Sequence, residues 1–225
     1  MRHLILYLTL ISTQTILFGQ TLEEKIADKF CDCFKTIDQS LGRDYVLTRY
    51  KADCTTQALQ DLQTEMNRIR DTIQGATDYE RGLEIGRMIG IKAQALMIKR
   101  CDEFYYFMDD IRNELLRNVN IDQENSNISS KTTLLSTDPS VANYFDRASS
   151  YFRMKKFKLA KKDLDKVLEI DSNFGPGYLL RGYLYEQKKN YKKAIDDYET
   201  GKRLTGKNEV DVFIAIAQRK SVDKR

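Results

Sequence analysis

Histidine is nearly absent, the one copy being His3, inside an N-terminal stretch that reads as a removable leader. A chain without imidazole cannot build a Ser-His-Asp or Cys-His nucleophile pair, nor an imidazole metal site. Aspartate and glutamate remain, scattered at ordinary helix-surface density, and no spacing singles out an acid and a base. The sequence therefore predicts no enzyme, no cofactor and no metal. Long apolar runs are also missing beyond the leader, since nothing after it approaches the ~18 uncharged apolar residues of a spanning helix. Charge of one sign is not in excess either. Without Arg2, 36 basic residues stand against 33 acidic ones, a net charge near +3. The pairs Lys155-Lys156, Lys161-Lys162, Lys188-Lys189 and Lys192-Lys193 read as solvated helix faces, not as a nucleic-acid footprint.

Residues 1–20 carry a processing signal. Arg2 supplies the positive start, Leu4 to Phe18 a mostly apolar run, and Gly19-Gln20 a small-residue cleavage point, the pattern of a secretory signal peptide. Ser12 to Thr15 interrupt the run and argue against an anchor. The expected location is secreted or periplasmic.

Residues 21–117 predict a three-helix bundle. Leu22, Ile26, Phe30, Cys33, Ile37 and Leu41 recur at steps of three and four, as do Leu47, Cys54, Ala58, Leu62, Met66, Ile69 and Ile73. Leu83, Gly86, Gly90, Met97, Cys101, Phe104, Met108, Ile111 and Leu115 mark a long third helix. Folding at Ser40 to Gly42 and at Gly75 to Asp78 brings Cys31, Cys33, Cys54 and Cys101 to one level. In an exported chain four cysteines read first as two structural disulfides. Residues two apart on a helix face different sides, so Cys31 and Cys33 should each reach another helix, for instance by a Cys33 to Cys101 link. A four-thiolate zinc site and a redox pair at Cys31 and Cys33 are the alternatives, each without its usual cysteine spacing. Gly82, Gly86 and Gly90 suggest close approach of a neighbouring helix, and Phe104 to Phe107 suggest core plus rim. From 118 to 138 the periodicity stops and a polar linker is expected. Asp138-Pro139 then reads as a helix start.

Between Asn143 and Gly206 the chain repeats at an offset of 34 residues: Tyr144 returns as Tyr178, Arg147 as Arg181, Tyr151 as Tyr185, Ala160 as Ala194 and Asp163 as Asp197. With Ala148 and Gly182 as the small residues and Phe157 and Tyr191 opening the second helices, residues 139–225 resemble the tetratricopeptide repeat family. Ser172 and Gly206 stand where its repeats usually end in Pro. The resemblance implies an all-α fold in which two repeats and a capping helix, with Val212, Phe213 and Ile216 at first-helix positions, form a short α-solenoid. It also implies a protein or peptide partner held on a concave groove, which by position would be lined by Phe145, Ser149, Phe152, Arg153, Leu179, Tyr183, Glu186, Gln187 and Phe213. Family members that clamp a terminal carboxylate use Lys and Asn where Phe145 and Ser149 stand, so that ligand is not implied.

Overall fold

The computed structural model describes residues 20–70, 77–114 and 116–223, and residues 1–19 of the expected leader lie outside them. The described residues form helices and turns and no strands. Helix α1 (Leu22–Thr36) starts in a capping box, with the Glu24 amide donating to the Thr21 hydroxyl at 3.2 Å and the Thr21 amide to the Glu24 carboxylate at 3.0 Å. It stops at Ile37, whose backbone is extended. Gly42, at φ 89°, then turns the chain through a conformation that a side chain would strain.

The second predicted helix is a bent rod. α2 (Arg43–Arg49) runs through a π turn (Tyr50–Cys54) into α3 (Thr55–Asp61) and, past a break at Leu62, into α4 (Gln63–Arg70). The third is two helices, not one. α5 (Asp78–Arg100) ends where Cys101 takes extended backbone, and α6 (Asp102–Glu114) follows. Cys101 is anchored there by its disulfide, and Arg219 donates to the carbonyls of Ile98 (2.6 Å), in the last turn of α5, and Cys101 (3.4 Å), which also accepts from the Tyr105 amide where α6 begins. Arg219 also pairs with Asp102 and lies 4.2 Å from the Tyr105 ring centroid.

The bundle core is aromatic. Phe34 touches Tyr50, Phe104 and Phe107 with ring centroids 5.3–5.7 Å apart. Within the run 104–107, Phe104 and Tyr105 are buried and Tyr106 is half exposed, the expected core and rim. Cys31 bonds Cys101 and Cys33 bonds Cys54, with Cα–Cα distances of 5.7 and 5.5 Å. Helix α1 is thus stapled to both neighbours with no Cys31–Cys33 link. The pairing differs from Cys33 to Cys101 because the buried face of α1 that carries Cys31 is the one turned to Cys101. The glycine stripe departs from expectation: among the described residues a Cβ built at Gly82, Gly86 or Gly90 meets nothing within 4 Å.

The stretch 118–138 is not an unstructured linker. Asn120 caps α7 (Ile121–Leu134), accepting from the Gln123 amide at 3.0 Å. Its residues show no apolar stripe because polar bonds hold it to the next helix, α8 (Val141–Arg153). Arg147 reaches Thr132 at 3.1 Å, Lys131 reaches Asp146 at 2.7 Å, and Arg153 forks onto Glu124. The cap of α8 is Ser140, not Asp138, which instead accepts from Asn143 and Ser140.

α8 pairs with α9 (Phe157–Ile170), and α10 (Gly175–Gln187) with α11 (Tyr191–Thr205). The 34-residue period is visible in the contacts. Arg147 binds both oxygens of Asp163 at 2.7 and 2.8 Å, and Arg181 binds those of Asp197 at 2.7 and 2.9 Å. Ala160 and Ala194 are fully buried, and a Cβ on Gly182 would lie 2.7 Å from the Tyr198 ring. α12 (Val210–Val222) packs on α11, and its Val212, Ala215 and Ile216 enter the bundle core beside α5. It runs on to Val222. Arg219 and Lys220 belong to the helix and turn into the bundle. Two repeats are few for a stable solenoid. Here α7 covers one end, and α12 with α5 the other.

Candidate functional site

The first helices α8 and α10, followed by α12, carry the residues expected to line the groove, and α6 lies against several of them. Arg112, in the last turn of α6, is the central contact. Its Nη2 donates to the Glu186 carboxylate at 2.8 Å and to the Tyr198 hydroxyl at 3.3 Å, while the Tyr198 hydroxyl donates to the same carboxylate at 2.9 Å. The guanidinium carbon lies 4.7 Å from the Tyr183 ring centroid and 5.0 Å from that of Phe213. Lys220 bridges the other Glu186 oxygen at 3.1 Å and Asp109 of α6 at 2.6 Å.

Electrostatics lock this cluster in its charged form. Burial opposes the Glu186 charge, but Arg112 and Lys220 outweigh it and hold the carboxyl below the usual range. Burial likewise works against the Arg112 cation, and the Glu186 carboxylate more than offsets it. Burial pushes the Tyr183 phenol up to about 12, so it remains a donor, and its hydroxyl gives a 2.9 Å bond to the Arg112 carbonyl. Gln187 adds a 3.1 Å bond to Asn113.

The nine residues expected to line an open groove therefore divide. Tyr183, Glu186, Gln187 and Phe213 face α6. Arg153 is held by Glu124 of α7, and Phe152 is buried against Tyr183 and Phe157 with centroids at 5.0 and 5.6 Å. Phe145 and Ser149 stay half-buried, Phe145 edge-on to Phe174 at 5.1 Å and Ser149 donating to the Phe145 carbonyl. Leu179, also half-buried, lines a pocket of about 280 Å³ with Arg112, Pro176, Leu180, Tyr183 and Phe213. The face is not empty, and truncating Phe152 and Tyr183 together would damage the fold as well as any binding.

Sequence reasoning missed Arg112, Asn113, Glu124 and Lys220. One sign was there to read: Arg112 stands four residues beyond Met108 and eight beyond Phe104, a charge in phase with the apolar stripe. The two cysteine alternatives do not form, because all four thiols are consumed in disulfides to different helices.

A family model described as tetratricopeptide repeat matches residues 141–174 and 176–208. Among curated proteins, a DnaJ homolog subfamily C member 7 homolog of Dictyostelium discoideum is 30% identical over 82 residues, 34% of this chain and 15% of the relative. Hsp70-Hsp90 organizing protein 3 of Arabidopsis thaliana is 32% identical over 66 residues, 29% of this chain and 12% of the relative. The chain thus spans less than a sixth of either relative's length. No solved structure matches.

Proposed function

We propose that this chain is an exported, non-catalytic adaptor that holds a protein or peptide partner on the concave face of its tetratricopeptide repeats. The observation that carries the reading is the repeat pair itself, stacked so that successive first helices share one face. Such faces suit an extended peptide or a helix laid across them. The residues left for a partner are Phe145, Ser149 and Leu179, since α6 engages Tyr183, Glu186, Gln187 and Phe213, α7 engages Arg153, and Phe152 is buried within the repeats. Both similar proteins are much longer, and their own roles are not carried over; the protein-holding reading rests on the repeat match. Export is supported by the leader pattern and by two disulfides, which persist in oxidising compartments.

A photo-crosslinking residue at Phe145, in chain expressed with its leader, tests this. Adducts from position 145 but not from Lys158, exposed on α9, are expected. Adducts arising only from Tyr45, on the bundle, would transfer the binding role to the N-terminal unit. N-terminal sequencing of the released protein should begin near Gln20 or Thr21.

A further inference from the structure

The chain is nearly balanced in charge as a whole, but one edge of the repeats is not. Residues 154–162 hold five lysines and residues 187–195 hold four, and neither stretch holds an aspartate or a glutamate. The fold makes these stretches equivalent. Each begins at the tight turn between the two helices of a repeat, closed by the Lys156 amide on the Tyr151 carbonyl at 2.8 Å and, one period later, by the Asn190 amide on the Tyr185 carbonyl at 2.9 Å. Helix α9 packs on α10, with Asp165 bonded to both Lys161 and Arg181, so the two turns share one edge.

The carboxylates closest along the chain are engaged elsewhere. Asp163 and Asp197 are held by Arg147 and Arg181, and Glu186 by Arg112 and Lys220. Lys155, Lys158, Lys188, Lys189 and Lys192 are exposed and form no ion pair among the described residues, and Asp196, one turn beyond Lys192, pairs with none of them. The turns do not themselves ask for lysine. Lys155 and Lys189 have φ of 56° and 58°, the left-handed region where glycine or asparagine fits best, and both repeats carry lysine there. Apolar groups stand open beside the charges: Leu159, next to Lys158, is 45% exposed, and Tyr106 of α6, 50% exposed, lines a pocket with Lys189 and Tyr191.

The two stretches hold no arginine. Lysines supply hydrated point charges, not the rigid forks that fix a single phosphate. An exposed leucine and tyrosines with polar tips suit the depth of lipid headgroups. We propose that this edge rests on a bilayer surface carrying anionic headgroups, with the lysines reaching the headgroup phosphates and Leu159 entering the acyl boundary.

The chain has no tryptophan, so Leu159→Trp makes a lone reporter. It is read in chain beginning at Gln20, where the apolar leader contributes nothing. Its emission should move to the blue with vesicles of equal parts phosphatidylglycerol and phosphatidylcholine, and stay put with phosphatidylcholine alone. Co-sedimentation of the parent with the anionic vesicles should weaken as salt is added. The combined changes Lys155→Gln, Lys158→Gln, Lys189→Gln and Lys192→Gln should weaken it by roughly tenfold or more, with melting unchanged. Lys35→Gln, Lys51→Gln, Lys99→Gln and Lys207→Gln together remove the same charge from exposed, unpaired positions elsewhere and should weaken it far less. Equal weakening by the two sets, or a reporter that anionic vesicles leave unshifted, overturns the proposal. Binding of polyphosphate without binding of vesicles also overturns it and makes the edge a site for a soluble polyanion.

Discussion

Gly182 shows at the scale of one residue how the repeat is packed. A Cβ there would lie 2.7 Å from the Tyr198 ring, and Tyr198 is itself fixed by Glu186 and Arg112. Gly182→Ala is therefore expected to destabilise by about 1–3 kcal/mol, visible as a lower melting temperature. Ala194→Leu should cost a similar amount for the same reason, Ala194 being fully buried. Gly86 predicts the opposite sign. It sits within α5 with nothing among the described residues near a built Cβ, so Gly86→Ala should stabilise by about 0.5–1 kcal/mol. Equal melting of the Gly182 and Gly86 variants would contradict both assignments. The small residues at the repeat crossings were legible because each recurs one period later. The glycines of α5 were misread, because a step of four says that small residues share a face and not that anything approaches it.

At the scale of elements, the two staples and the α6 contact make separate predictions. The Cys31–Cys101 and Cys33–Cys54 bonds join residues 70 and 21 apart. The loop-entropy relation gives about 4 and about 3 kcal/mol for them. Reduction should lower the melting temperature, with the Cys31 to Ser and Cys101 to Ser pair of changes costing more than the Cys33 and Cys54 pair. The α6 contact responds to acid. The Glu186 pKa is lower folded than unfolded, so its contribution is fully present above the ordinary carboxylate value of ~4.3 and is lost as pH falls through the folded value. Stability measured by denaturant titration should fall below about pH 4, and Glu186→Gln should flatten that part of the curve. A pH profile unchanged by Glu186→Gln would remove Glu186 from the account. Helix α7 was invisible in the sequence for a physical reason. Its stability comes from Arg153, Arg147 and Lys131 reaching across from or to α8, contacts that leave no apolar period. The break at Cys101 was hidden too, since Met97, Cys101, Phe104 and Met108 keep helical phase across it.

The whole molecule joins two halves that the sequence presents as separate. The repeats lack neighbours at both ends, and α7 on one side and α12 against α5 on the other supply them. The period, the two repeats and the clustering of cysteines could be read from residue spacing. The union could not, because Arg112, Arg219 and Lys220 bond residues 74 to 121 positions away or in another helix pair, and spacing along the chain carries no record of such partners. Part of the expected groove lining is occupied by α6 and α7 for the same reason: positions on a repeat say which way side chains face, not what already lies against them. A double-mutant cycle of Arg112→Met and Glu186→Gln, followed by thermal and denaturant unfolding of the full chain, tests this union most directly. A single cooperative transition with a coupling of about 1–3 kcal/mol is predicted. Two separate transitions with coupling near zero would contradict it, and would leave the bundle and the repeats as independent units.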